Sequence, residues 1–205
     1  MKYNELASKA LVERVVKALK EKGYGAVIVT KASEALSKIK EIIPDGASVM
    51  NGSSVTLEQI GYLEYLKSGE HKWIDLHAKV NAENDKERRA KLRRESVLSD
   101  YYLGSVHALA ENGEFVIASN TGSQMPHIVF TSPNLIFVIS TKKIVPTLSE
   151  AMKRLEEYVY PLENKHMMDQ YNVGTNINKV LIFRGEVPIL GRKIRFILVE
   201  ENLGF

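Results

Sequence analysis

Residues 135–140 read LIFVIS, and this run decides the fold class because it is apolar at nearly every position. A strand with one face in water alternates polar and apolar residues, whereas a strand covered on both faces does not. Strands covered on both faces are typical of parallel sheets, because their crossover connections place helices against the sheet. The run therefore predicts a parallel sheet between two layers of helices.

Apolar runs alternate with segments of helical periodicity on both sides of LIFVIS. The predicted helices cover residues 1–22, a segment around Ala35 to Ile43, a charged stretch from about Asn84 to Tyr102, and a segment after Thr147 that Pro161 is expected to end. This alternation predicts one α/β domain over residues 1–205, a doubly wound, Rossmann-like three-layer fold with residues 1–22 as an N-terminal helix packed on it. The predicted strands are Tyr24 to Thr30, Ala47 to Met50, Trp73 to Leu76, Ser105 to Ala110, Phe115 to Ser119, Leu135 to Ser140, Val180 to Phe183 and Ile194 to Val199.

The composition excludes several kinds of chemistry. The chain has no cysteine, so it forms no disulfide, thiolate nucleophile, iron–sulfur cluster or cysteine zinc site. Its five histidines lack the spacing of a helical metal site, and no G-x-G-x-x-G motif indicates a nicotinamide or flavin. We therefore expect neither a metal nor a cofactor.

The charge balance and the N-terminal segment bear on partners and location. The chain has 28 Lys and Arg against 25 Asp and Glu, and its formal charge of +3 is too small for a dedicated nucleic-acid binder. It does mildly favour an anionic small ligand. The N-terminal segment carries charges throughout, so it is neither a signal peptide nor a membrane span. We expect a cytoplasmic protein without nucleic-acid or membrane partners.

Two loops of small polar residues follow predicted strands. The first is Asn51-Gly52-Ser53-Ser54-Val55-Thr56, which opens a helix, and the second is Ser119-Asn120-Thr121-Gly122-Ser123-Gln124. Both carry an ordinary structural explanation, since Ser and Thr cap helices and Asn, Gly and Ser dominate turns. Ligands in α/β sheets bind at the carboxyl ends of strands, so both loops are also candidates to bind an anion. The candidate ligand-binding residues of the loops are Asn51, Gly52, Ser53, Ser54, Thr56, Asn120, Thr121, Gly122 and Ser123.

Several segments of the chain, in their order, resemble the lactate-utilisation (LUD) domain family. The resemblance covers nearly all of the chain after the first helices and implies a fold of the NagB/RpiA/CoA-transferase type. Many relatives carry several cysteines before the last two strands, where this chain reads MMDQYNVGTNINK (167–179). A cluster role attached to those cysteines does not transfer here. The matching segments are PDGASVMNGSSVTLEQIG (44–61), RRESVLSDYYLGSVHALAENGEFV (93–116), STKKIV (140–145), YPLENKHM (160–167) and GRKIRFILVEENLGF (191–205).

The resemblance adds two candidate site residues. Coenzyme A transferases of this superfold use a glutamate in a Glu-Asn-Gly turn as a nucleophile, which implies a catalytic role for Glu111 in Glu111-Asn112-Gly113. Asn-Gly is also an ordinary hairpin turn, and a simple antiparallel hairpin would send Glu111 away from the loops. Relatives hold a lysine before Ile-Val, which implies that Lys143 contacts a phosphate or carboxylate. His107 and His127 are further residues that could approach the cleft.

Two classes of function stay open at this point. One is an enzyme or metabolite-binding subunit of organic-acid metabolism, acting on lactate or another small anionic metabolite. A related alternative is a CoA-transferase-like or sugar-phosphate-isomerase-like enzyme that uses Glu111. The other class is a non-catalytic assembly or regulatory subunit. The resemblance implies iron–sulfur oxidoreductase partner proteins, and a homo-oligomer is also open.

Overall fold

The computed structural model describes residues 3–205, in which strands and helices alternate along most of the chain. The α-helices are α1 (Lys9–Glu21), α2 (Ala32–Ile42), α3 (Val55–Gln59), α4 (Tyr62–Ser68), α5 (Leu76–Ala82), α6 (Lys86–Glu95), α7 (Leu148–Arg154) and α8 (Tyr160–Tyr171). The strands are β1 (Gly25–Val29), β2 (Ser48–Asn51), β3 (Ile74–Asp75), β4 (Tyr101–Gly104), β5 (Ala108–Ala110), β6 (Phe115–Ser119), β7 (Asn134–Ser140), β8 (Ile144–Val145), β9 (Lys179–Phe183) and β10 (Lys193–Val199).

The main sheet is parallel and has the strand order β1-β10-β7-β4-β2-β3. The LIFVIS run forms β7 inside this sheet, and all six of its residues are buried. Phe137 packs in a core cluster with Val15 of α1, while its neighbour Ile136 packs with Ile39 of α2 in a second cluster. Alternate residues of the strand thus face opposite helical layers. The predicted Rossmann-like three-layer α/β architecture is confirmed.

A second, four-stranded sheet has the order β8-β5-β6-β9. Its strands β5 and β6 form an antiparallel hairpin, and Ala108 and Val116 pack against Ala151 of α7 in a third core cluster. We predicted one strand over Ser105 to Ala110, but the chain leaves the main sheet after Gly104 and enters the small sheet at Ala108. The three residues between these strands turn the chain at the carboxyl edge of the main sheet.

The charged helix predicted from about Asn84 to Tyr102 is shorter than expected. Helix α6 ends at Glu95, a 3-10 turn covers Ser96–Leu98, and β4 follows at Tyr101. Tyr102 is only 1% exposed, because β4 lies between β2 and β7 in the main sheet. The prediction was wrong for Tyr101 and Tyr102, since aromatic residues favour strands and burial in a central strand outweighs the preceding helical pattern.

Pro161 does not end the helix that begins after Thr147. Helix α7 continues through a π-helical turn over Leu155–Val159 into α8, and Pro161 occupies the first turn of α8. Proline is tolerated there because the N–H that it lacks is one that a first helical turn leaves unpaired. The prediction of a helix end was therefore wrong.

The N-terminal helix predicted over residues 1–22 begins at Lys9, and residues 1 and 2 lie outside the described part of the chain. The Oγ of Ser8 caps it by accepting a hydrogen bond from the backbone N–H of Leu11 at 3.3 Å. Val12, Val15 and Leu19 of α1 are buried against the main sheet. Within residues 3–205 no helix combines the length and the apolar character that a bilayer crossing requires.

Candidate functional site

A cavity of about 470 Å³ lies at the carboxyl edge of the main sheet. The loops after β2, β4, β6 and β7 line it, together with α8 and the last residues of the chain. Ligands of open α/β sheets bind at this edge. The polar side chains of the lining belong to Ser53, Ser54, Thr56, Ser105, His107, Ser119, Asn120, Thr121, Ser123, Gln124, Lys143, Glu163, Thr175 and Asn176.

The first predicted loop lines this cavity through Gly52, Ser53, Ser54 and Thr56. Ser54 also caps α3, because its Oγ accepts a hydrogen bond from the Leu57 N–H at 3.3 Å. A Cβ atom on Gly52 would lie 2.6 Å from the Tyr102 hydroxyl and 2.9 Å from Gln124 Oε1, so close approach requires glycine there. Asn51 is buried behind the loop and is not part of the lining.

The second predicted loop lines the same cavity. Asn120, Thr121 and Ser123 are among the lining residues, whereas Gly122 is not. Gly122 instead helps to fold the loop, because its N–H donates a hydrogen bond to Ser119 Oγ at 2.9 Å. Lys179 at the start of β9 donates to the Asn120 carbonyl at 3.2 Å. The structure therefore brings the two predicted loops to one site.

Lys143 is a buried cavity residue that follows the central strand β7. It is 4% exposed, and its Nζ donates hydrogen bonds to Thr56 Oγ1 at 3.0 Å and to Ser105 Oγ at 3.1 Å. Within residues 3–205, no ion pair includes Lys143. Burial and the nearby charges of Arg154 and Lys142 hold the Lys143 pKa well below its usual range.

Two further buried cations lie behind Lys143. Arg154 is 0% exposed, and its Nη1 donates to the His107 carbonyl, while its Nε and Nη2 have no hydrogen-bond partner among the described residues. Lys142 donates to Asn202 Oδ1 and to the Gly204 carbonyl, each at 2.6 Å. Burial lowers the pKa of Arg154 to about 10 and that of Lys142 to about 8. This group of three basic residues, hereafter the cationic cluster, places the positive charges of Arg154 and Lys142 beside the cavity.

His107 and Glu163 add titratable groups to the lining. The Nδ1 of His107 accepts the Ala118 N–H at 3.1 Å, which leaves the proton of the neutral ring on Nε2. Burial, with the charges of Lys143 and Arg154, lowers the His107 pKa to about 3, so the ring is neutral near pH 7. Burial raises the pKa of Glu163, and the charges of His166 and Lys143 partly oppose that shift.

Comparison with known proteins identifies the family. The family model described as LUD domain matches residues 12–179, which is most of the chain. The chain belongs to the LUD-domain family. A crystal structure of a DUF162 family protein from Deinococcus radiodurans has a similar fold, with a TM-score of 0.56 and 13% identity over 95% of this chain and 99% of that one. No curated protein matches the sequence.

Glu111 lies outside the cavity of this LUD domain. It occupies the turn of the β5–β6 hairpin, whose antiparallel pairing sends it to the end opposite Ser119. There its Oε1 accepts a hydrogen bond from Arg14 Nε at 2.5 Å, and both side chains are partly exposed. Glu111 therefore does not share the cavity with the two loops, and the alternative of an antiparallel hairpin describes its position.

We expect Glu111→Gln to leave ligand binding unchanged. Solvent screens an ion pair at the surface, so loss of the Arg14 contact should lower the thermal midpoint only slightly. The thermal midpoint and the shift caused by an organic acid would be measured for both proteins. A weaker ligand shift in the variant would instead assign Glu111 a role in the site.

His127, the other histidine that could approach the cleft, has a position inside the protein. His127 is 1% exposed and lies outside the cavity, where its Nδ1 is 3.0 Å from Ser132 Oγ and its ring stacks on Tyr102. Burial lowers its pKa to about 4. In the part of the chain that is described, no three His, Asp or Glu side chains come together as a metal site.

Sequence reasoning did not assign Ser105, Arg154 or Glu163 to the site. Ser105 was placed inside a strand, and Glu163 follows the proline that was expected to end a helix. Arg154 is adjacent to Lys153 in a helix, a pattern that is usual for a solvated face. The only sequence signal for Ser105 was the small-residue pair Gly104-Ser105 in the middle of an apolar run.

Proposed function

We propose that this LUD-domain protein acts in organic-acid metabolism, such as the use of lactate, and binds a small anionic metabolite in the cavity. The observation that carries the proposal is the buried cationic cluster, of which Lys143 lines the cavity without a carboxylate partner. The charges of Arg154 and Lys142 in this cluster are costly to bury unless an opposite charge compensates them. A bound carboxylate or phosphate would supply that charge.

The cavity is larger than lactate alone requires. A volume of about 470 Å³ lies within the range of roughly 300–1,000 Å³ that is typical of sites for drug-sized ligands. Part of the lining is apolar or aromatic, which would fit the body of a larger organic acid. These residues are Leu155, Val159, Tyr160, Met167, Tyr171, Ile177 and Phe205.

A second candidate function is that of a non-catalytic subunit in an assembly. Large apolar side chains are exposed away from the cavity, including Ile189 at 90% and Phe130 at 67%. Such residues favour a protein partner when they are contiguous. Iron–sulfur oxidoreductase proteins or a second copy of the chain would be such partners. Genes for iron–sulfur proteins beside this gene would favour the first of these. A CoA-transferase-like or isomerase-like role for Glu111 gains no support from its position.

A thermal-shift series would test anion binding directly. Lactate, larger organic acids, sugar phosphates and CoA esters would be compared at equal ionic strength. A ligand present at a hundred times its dissociation constant stabilises the folded protein by about 2.7 kcal/mol. For a protein of this size we expect a rise of about 2–4 °C in the midpoint for each kcal/mol.

Neutral amides of the same acids are the matched controls, because they keep the shape and lose the charge. We expect the acids to stabilise and the amides not to do so. Equal shifts for lactate and lactamide would contradict an anion site. A bound anion also favours protonated Lys143, so binding takes up a proton in the pH window between the free and bound pKa values, and affinity should fall as the pH rises through it.

A further inference from the structure

The surroundings of Lys143 are those of a neutral amine. A neutral amine has two N–H groups and one lone pair. Nζ has hydroxyl acceptors for both N–H groups, Thr56 Oγ1 at 3.0 Å and Ser105 Oγ at 3.1 Å. A protonated amine would have a third donor, and no carboxylate of residues 3–205 lies within ion-pair distance of it. The lone pair is left as the reactive function of this nitrogen.

Charged groups on several elements act on this amine. Arg154 of α7 and Lys142 of the same turn repel a proton on Nζ, while Glu163 of α8 attracts it. His107 is neutral and adds no charge. Desolvation is the largest influence and it acts in the same direction as the two cations, so the free base of Lys143 is favoured. A lysine that is desolvated and lies next to another cation is an activated nucleophile.

The neighbouring Lys142 does not share these properties. Its Nζ is held by Asn202 Oδ1 and by the Gly204 carbonyl, and it is not part of the cavity lining. Both hydroxyl partners of Lys143, in contrast, line the cavity with it. A carbonyl compound in the cavity therefore meets one buried amine.

We propose that Lys143 is a nucleophile that forms a reversible imine with a carbonyl-bearing organic acid of the 2-oxo acid class. The inference rests on the proposed function, because it names the ligand class of the same cavity. The carboxylate of such an acid would be attracted by the charges of Arg154 and Lys142. Its carbonyl carbon would then be within reach of Nζ.

The chemistry needs no further reactant. The Nζ lone pair attacks the carbonyl carbon, the π electrons move to oxygen, and a proton passes from nitrogen to oxygen to give a carbinolamine. The nitrogen then forms a double bond to carbon while the hydroxyl group takes up a proton and leaves as water. Glu163 is the cavity carboxyl whose raised pKa suits it to give and recover that proton.

Imine trapping in the whole protein would test the proposal. The protein would be incubated with pyruvate and sodium cyanoborohydride, which reduces an imine to a stable secondary amine. Intact mass and peptide mapping would then locate the product. We expect one adduct per chain, on Lys143, formed at least tenfold faster than on any other lysine. The rate should rise with pH until Lys143 is deprotonated and then level off.

Matched variants separate a specific adduct from surface labelling. Lys143→Arg replaces the amine by a guanidinium that forms no imine, so it should lose the adduct, whereas Lys72→Arg changes an exposed lysine paired with Asp45 and should keep it. If Lys143→Arg does not fold, peptide mapping of the trapped wild-type protein still shows whether the adduct is on Lys143. Absence of an adduct, or labelling spread over surface lysines, would overturn the proposal.

Lactate, which has no carbonyl carbon open to attack, distinguishes this proposal from the proposed function. Stabilisation by lactate and pyruvate without trapping would contradict the imine proposal and still support the anion site. Trapping on Lys143 without stabilisation by any non-carbonyl acid would support the imine and contradict a general anion site.

Discussion

Replacement of Lys143 by Met is expected to abolish anion binding and at the same time to stabilise the ligand-free protein. Met has a similar length and no charge, so the variant removes a buried amine that has no carboxylate partner when it is protonated. Replacing buried ionic groups by apolar ones stabilises some proteins by roughly 1–4 kcal/mol. Thr56 and Ser105 lose a donor, which offsets part of this gain. Thermal midpoints and ligand shifts of both proteins would measure the two effects.

The gain in stability should depend on pH. The folded-state pKa of Lys143 lies below its unfolded value of about 10.4, so the wild type becomes more stable as the pH rises between the two. The advantage of the variant is therefore largest at low pH and shrinks as the pH approaches 10. Lys72→Met, at an exposed position, is the control and should keep ligand binding. A destabilised Lys143→Met variant that still binds anions would contradict the argument.

The layered fold was predictable because a strand that is buried on both faces is apolar at consecutive positions, and such a run can be recognised in a short stretch of sequence. LIFVIS has no polar face, and the helical stripes beside it repeat with a clear period. The small sheet was not predictable in the same way. Its strand β5 has three residues, and its strand β8 has two. Neither strand is long enough to show a periodic pattern of polar and apolar residues.

The site was partly predictable because ligands of α/β sheets bind at the carboxyl ends of strands, and short polar loops at those ends can be recognised in the sequence. This rule makes Ser54, Asn120 and their neighbours candidate site residues, while Lys143 is a candidate because of the family resemblance. The cationic cluster required the tertiary structure, because Arg154 is separated from the His107 carbonyl that it contacts by 47 residues. Whether an arginine in a helix is buried depends on which strand the helix packs against, and one sequence does not specify that.

Gly204 and Phe205 line the cavity, and Gly204 lies beside Lys142 and Lys143 of the cationic cluster. The Gly204 N–H donates to Gln59 Oε1 at 2.6 Å, and its carbonyl accepts from Lys142. Gly204 has a φ of +63°, and a Cβ atom there would overlap Thr56 Oγ1 and lie 2.8 Å from Lys143 Nζ. Glycine is thus required both by the backbone conformation and by close approach.

Gly204→Ala is therefore expected to weaken ligand binding by tenfold or more and to destabilise the protein. A left-handed alanine costs roughly 1–2 kcal/mol, and the overlap with Thr56 and Lys143 adds about 1–3 kcal/mol unless the segment moves away. If it moves, the cavity loses the wall formed by Phe205. Urea unfolding would give the stability change, and titration with the best ligand of the thermal-shift series would give the affinity.

Gly191→Ala is a closely matched control for this experiment. Gly191 has a φ of +66°, and a Cβ atom there would meet nothing within 4 Å. Both variants carry the same backbone cost, so the difference between them isolates the contact with Thr56 and Lys143. We expect Gly191→Ala to lose stability and to keep its affinity. If both variants lose stability equally and neither loses affinity, then the approach of Gly204 to Lys143 has no part in the site.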